Sequence, residues 1–265
     1  MATFDRDTAH AIQQRAFRDF FEMMARSSPD ARVVEFDGVA GLTVPAVPRR
    51  SIPNSVVYRD AAGLASALDR LAASYEDAGV EAWTVWVPEF DREAIELLEN
   101  AGHTFDGKPA AMVLDLAELP ERDVGDLDWA PGDSMPLLGD LNDRAYGHAG
   151  DDGYAPAFTQ LPEGLPVRLY VARVDGQPAS CLATMDHQPV EGADGADLGI
   201  YWVATPEEFR GRGLSGRLLH TALVEARERG CATSSLQASA MGEPIYAKLG
   251  YQLPYRFHLY ERRGG

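Results

Sequence analysis

Cysteine is scarce: the 265 residues include two, Cys181 and Cys231. Two unclustered thiols supply neither a disulfide framework nor a set of metal ligands, and they point to a reducing compartment. A cytoplasmic location and no metal are therefore expected. Long apolar runs are also missing, since no stretch approaches the roughly 20 residues that span a membrane. The start MATFDRDTAH lacks the basic head and apolar core of a secretory signal. Basic charge is in the minority, with 24 Lys and Arg against 41 Asp and Glu for a net of −17. Phosphate neutralisation needs basic surface, so no nucleic-acid partner is expected, and no membrane partner either. The acidic excess suits a cationic substrate drawn in electrostatically and suits plain solubility equally well. What remains is ordinary: 45% hydrophobic and 25% charged residues, the balance of a globular chain long enough for two domains.

Helical spacing of Ile12, Ala16, Phe17, Phe20, Phe21 and Met24 predicts a first helix over about 9–26. Strands at 32–36 and 39–44 join through Asp37-Gly38 as a hairpin. A strand at 55–58 precedes a helix at 61–78, whose apolar face carries Leu64, Leu68, Leu71 and Tyr75 and whose C-cap is Gly79. A strand at 82–87, a helix at 92–101 closed by Gly102, and a strand at 111–116 follow. Residues 117–133, rich in Asp, Glu, Pro and Gly, read as a linker and place domains at 1–120 and 121–265. The second half reads as a helix at 135–146, a loop at 147–166, and strands at 168–174, 179–185 and 197–204. A helix at 214–229, a strand at 232–237, a helix at 243–249 and a strand at 256–260 complete it. The order helix–Gly79–strand–helix–Gly102–strand returns as helix–Gly230–strand–helix–Gly250–strand, as an internal duplication would produce. The fold class expected is α/β, in two tandem units that each carry a mixed, mostly antiparallel sheet flanked by helices.

The chemistry concentrates in residues 200–216, IYWVATPEEFRGRGLSG. A β-rich run enters a turn holding Arg210, Gly211, Arg212, Gly213, Leu214, Ser215 and Gly216, and the turn opens a helix. Glycines allow close backbone approach, helix-start amides attract pyrophosphate, and arginines add charge-assisted bonds. Gly211-x-Gly213-x-x-Gly216 also satisfies a dinucleotide fingerprint, but an antiparallel-looking meander precedes it and Glu228 lies late in the helix. The Gly-Lys-Ser/Thr of a triphosphate loop is absent.

Arg210-x-x-Gly213-x-Ser215, preceded by Trp202, Val203, Ala204 and Thr205, resembles the acetyl-CoA loop of the GNAT N-acetyltransferase superfamily. Downstream, Leu236–Tyr251 with its Tyr246-x-x-Leu249-Gly250-Tyr251 ending is similar to that family's fifth strand and fourth helix. The resemblance covers about 135–262. Pro206 lies four residues before Arg210 where the family commonly spaces three, and Ser239 stands where many relatives carry Asn. The N-terminal half resembles a degenerate copy, with Leu98 at the Tyr246 position and no Arg-x-x-Gly-x-Gly. The resemblance implies acetyl-CoA as co-substrate, bound by residues 202–205, 210–216 and Ser239, with transfer to a small-molecule primary amine. Tyr246 would protonate the departing thiolate. Asp197, Glu207, Glu208 and His187 are candidate bases, and Asp140, Asp143, Asp151 and Asp152 candidate ammonium ligands. A CoA-binding sensor without turnover is the alternative. The oligomeric expectation is a monomer or homodimer.

Overall fold

The computed structural model describes residues 4–132, 134–148 and 153–264. Asp151 and Asp152 therefore lie outside the described residues. Helix α1 (Arg6–Ser27) starts where the Asp5 side chain accepts from the Thr8 amide, and it buries Ile12, Ala16, Phe17, Phe21 and Met24 on one stripe. Strands β1 (Arg32–Phe36), β2 (Val39–Thr43) and β3 (Ser55–Tyr58) lead into α2 (Ala61–Asp77), β4 (Ala82–Pro88) and α3 (Arg92–Asn100). Then come β5 (Thr104–Gly107), β6 (Ala110–Asp115) and β7 (Trp129–Gly132). The second half runs α4 (Met135–Tyr146), β8 (Val167–Val174), β9 (Gln177–His187), β10 (Ala196–Ala204), α5 (Leu214–Glu228), β11 (Cys231–Ala238), α6 (Glu243–Lys248) and β12 (Gln252–Arg263).

All of these strands join one sheet in the order β1-β2-β3-β4-β12-β6-β11-β10-β9-β8-β7, with β5 on β12. Alternation along the strands feeds opposite faces. Ala111 and Val113 of β6 join the core under α1 and α4, while Ala110, Met112 and Leu114 join the core under α5. A third core sits under α2 and α3.

The inner strands repeat about the antiparallel contact of β12 with β6, with β4 and β3 beside β12 as β11 and β10 stand beside β6. On one side β3–α2–β4 is a parallel crossover, and on the other β10–α5–β11 is its counterpart. The strand that closes each unit has crossed to the other. β6, from the first half of the sequence, pairs with β11, and β12, from the second half, pairs with β4. The duplicated element order seen in the sequence is thus a spatial repeat with exchanged final strands. Two strands escaped the pattern reading. β5 (TFDG) is short and mostly exposed, and β7 (WAPG) is an edge strand with a proline inside the supposed linker. Neither carries the alternation that announces a strand.

Candidate active site

β10 and β11 run parallel only from Ala196 to Gly199, and beyond that the two strands part. On its other edge β11 stays paired with β6 from Thr233 to Ala238, so the side facing β10 opens while the strand stays in the sheet. The parting has a local cause. Against β9, Tyr201 faces Ala183 and Ala204 faces Cys181, so Trp202 and Val203 together oppose Leu182. This bulge bends β10 away from its neighbour. Trp202 has φ +51°, an uncommon conformation for a bulky residue. Its carbonyl accepts from Asn142 Nδ2 at 3.4 Å, and the ring packs edge-on to Phe158 with centroids 4.6 Å apart. Past the bulge, Ser180 Oγ donates to the Ala204 carbonyl at 3.0 Å and lies 2.9 Å from Thr205 Oγ1.

Below the slot, a cavity of about 360 Å³ is lined by Val203, Ala204, Thr205, Arg210, Gly211, Gly213, Leu214 and Ser215, and closed by Ser239, Gly242 and Tyr246. Gly211 and Gly213 have φ of +77° and +68°, and a Cβ on either would meet nothing within 4 Å. Glycine is needed there for backbone conformation, and the space beside it is open. Gly213 is the N-cap of α5 and supplies no side-chain acceptor, so the first-turn amides of a 15-residue helix point at the cavity uncapped. Gly216 is buried in that first turn. Arg210 donates through Nε to the Thr205 carbonyl at 3.2 Å and through Nη2 to the Ala145 carbonyl, which fixes its guanidinium at the rim. Arg212 extends over the Phe209 ring. These groups suit a phosphate-bearing anion.

The meander β8–β9–β10 that leads into the turn is antiparallel, as the sequence suggests, while the β10–α5–β11 crossover that follows is parallel. The acid at the end of the second strand of a dinucleotide site is missing, because β11 ends Gln237-Ala238 and Ser239 follows.

A second cavity of about 290 Å³ opens above the slot between α1, the segment before β3, α4 and the parted strands. Tyr146, Val203, Ser239 and Tyr246 line both cavities and form their junction. The Tyr246 ring lies so close to Gly242 that a Cβ there would be 2.8 Å from Cε2, and burial pushes its phenol above the usual value. Burial also raises the phenol of Tyr146, the last residue of α4. Tyr146 was not among the sequence candidates; an aromatic placed just before the capping Gly147 was its one signal.

Other expected residues lie elsewhere. Asp197 lines neither cavity. It is buried, accepts from Thr233 Oγ1 at 2.8 Å and Ser235 Oγ at 2.6 Å, and burial raises its pKa. Glu208 pairs with Arg144, and Glu207 is exposed beside it. Asp140 also faces Arg144, and Asp143 accepts from the Tyr154 and Ala155 amides. His187 sits 2.8 Å from Asp19 Oδ2 and 2.9 Å from the Tyr201 hydroxyl, in contact behind the acceptor-side wall.

In the first half, the helix that follows the corresponding strand, α2, begins with a side-chain cap. Asp60 caps α2 by accepting from the Gly63 amide, and Arg59 is paired with Asp60 and Asp37. A fixed carboxylate occupies the place where α5 leaves free amides.

The acetyltransferase (GNAT) domain family matches residues 133–264. No protein of curated function matches the sequence. A GCN5-related N-acetyltransferase from Kribbella flavida superposes with a TM-score of 0.65 at 20% identity, covering 100% of this chain and 98% of its own. Another from Sphaerobacter thermophilus gives 0.53 at 16% identity, over 99% and 94%. A tandem GNAT protein from the clavulanic acid biosynthesis pathway gives 0.57 at 15% identity, over 99% and 97%. Fold, the glycine turn on α5 and the family match converge: residues 133–264 form a domain of the acetyltransferase (GNAT) family.

Proposed function

We propose that the protein moves an acetyl group from acetyl-CoA to the primary amine of a small molecule, by direct attack of the amine on the thioester. The observation that carries this reading is the meeting of two cavities at Tyr146, Val203, Ser239 and Tyr246. The lower one has the anion-binding turn of a CoA diphosphate site, and the upper one is sized for an acceptor. The pyrophosphate lies against the turn from Arg210 to Gly216, and the pantetheine arm runs up the slot along Val203, Ala204 and Thr205. The main chain at Val203, which has no partner on β11 once β10 leaves that strand, serves the arm and the thioester oxygen. Positioning supplies much of the rate. Tyr246, a neutral phenol at physiological pH, gives its proton to the CoA thiolate as the carbon–sulfur bond breaks, and the proton that the amine nitrogen loses returns through water to restore the phenol. Asp197 has no part in this scheme, since it lines neither cavity.

Calorimetry with acetyl-CoA, followed by thiol release in the presence of amines, tests the reading. Binding and amine-dependent release are expected, and absence of affinity for CoA and acetyl-CoA overturns it. Tyr246→Phe is expected to lower kcat by about 10²-fold or more while leaving acetyl-CoA affinity within about threefold. Unchanged kcat removes Tyr246 from the acid's role.

A further inference from the structure

The upper cavity is walled by aromatic rings from both halves of the chain. Phe20 stacks on Tyr201 with centroids 5.1 Å apart and 24° between planes, and leans on Trp202 at 5.5 Å. Trp202 meets Phe158 edge-on at 4.6 Å, and Trp86 packs against Phe17 at 4.8 Å. Rings that brace one another in this way make a preformed box. Among the described residues, no Asp, Glu, Lys or Arg lines it.

Several of its polar side chains spend their donors on the protein, the Tyr201 hydroxyl on the Ala16 carbonyl among them. Ser55 Oγ accepts from Trp86 Nε1 at 2.7 Å and donates to the Ile52 carbonyl. Asn142 Nδ2 serves the Leu138 and Trp202 carbonyls. Gln237 Nε2 donates to Gln13. An acceptor carrying several ammonium groups would bring buried charges to a wall with no carboxylate among its described residues. A flat ring loses nothing on entry and meets ring faces and edges. The volume of about 290 Å³ stands at the lower end of ligand pockets, so it holds one or two fused rings.

Resting on the acetyl-transfer reading above, we infer that the acceptor is an arylalkyl primary amine. Its ring lies in the box formed by Phe20, Trp86, Phe158 and Trp202, and its short chain carries the amine to the junction at Tyr246. Phe20 and Trp86 are then specificity residues lent by the half that has lost its own anion site. Cation–π attraction offers a rival occupant, an amine with a distal quaternary ammonium head.

The test compares initial rates with 2-phenylethylamine, tryptamine, (2-aminoethyl)trimethylammonium, spermidine, an aminoglycoside and free phenylalanine at saturating acetyl-CoA. The expected result is a kcat/KM for the two arylalkylamines at least tenfold above every other amine. Phe20→Ala, a change at a half-buried position, is expected to raise KM for 2-phenylethylamine at least tenfold while acetyl-CoA affinity by calorimetry stays as in the wild type. Preference for any of the other four amines overturns the inference, as does an unmoved KM in Phe20→Ala. Binding of acetyl-CoA with none of these amines acetylated overturns it too. Failure to bind acetyl-CoA at all sinks the acetyl-transfer reading instead, so the two failures are separable.

Discussion

Asp197 and His103 are both buried ionisable groups, and each gives a measurable consequence. The Asp197 carboxylate is fully engaged by two hydroxyls on β11, an arrangement that holds β10 against β11 where they still run parallel. Asp197→Asn keeps an acceptor for Thr233 and a donor for Ser235. It is expected to leave kcat within about threefold, and a fall of about 10²-fold in steady-state rates would make Asp197 a base after all. His103 packs edge-on to Trp83 with centroids 4.7 Å apart, donates through Nδ1 to the Tyr260 carbonyl at 3.4 Å, and has no hydrogen-bond partner at Nε2 among the described residues. Burial pulls its pKa down to about 4. In the unfolded chain the value is about 6.5, so between pH 6.5 and 4 the unfolded state binds the proton that the folded state refuses. Stability is therefore lost as pH falls through that window. His103→Phe is expected to lose less Tm than the wild type between pH 7 and 4.5, and equal losses would show that His103 does not titrate on unfolding.

At the scale of elements, α4 illustrates how tightly the acceptor side is assembled. A Cβ on Gly139 would stand 2.8 Å from the Ala155 Cα, in the backbone of a turn fixed by Asp143. Overpacking of this kind costs about 1–3 kcal/mol, against about 1 kcal/mol gained in helix propensity. Gly139→Ala is expected to lower the urea midpoint at unchanged slope, and an unchanged midpoint would mean that the turn yields freely. The helices were legible because their periodicity is strong and their caps are ordinary. α2 and α4 run where Leu64, Leu68 and Leu71, and Leu138 and Leu141, place them. The glycine turn was legible for the same reason that it works, since nothing but a backbone requirement explains Gly211 and Gly213 so close together. The acceptor wall was not legible. Phe17, Phe20 and Trp86 obey the same apolar spacing as any core residue, and which of them faces a cavity depends on contacts between distant segments. The bulge at Trp202 was hidden likewise, because a strand and a bulged strand share one composition. β12 was read as 256–260 but spans Gln252–Arg263, because Pro254 interrupts its start at a register shift against β6.

The whole molecule is tied together at its centre. A fragment of residues 121–265 keeps the glycine turn, Tyr246 and the entire family match, yet lacks β6, the partner of β11, and β4, the partner of most of β12. Three open ladder edges, one on β11 and both of β12, and an exposed apolar face are expected to leave that fragment aggregated or unfolded, while the full chain unfolds in one calorimetric transition. A soluble fragment with a cooperative melt would show that the halves stand alone. During synthesis the same exchange sets a schedule. The first half emerges from the ribosome with β4 unpaired on one side and must wait for some 170 further residues before β12 arrives to cover it. At 5–20 residues per second that gap is on the order of ten to thirty seconds, an interval in which the nascent chain presents a bare edge to its neighbours and to chaperones.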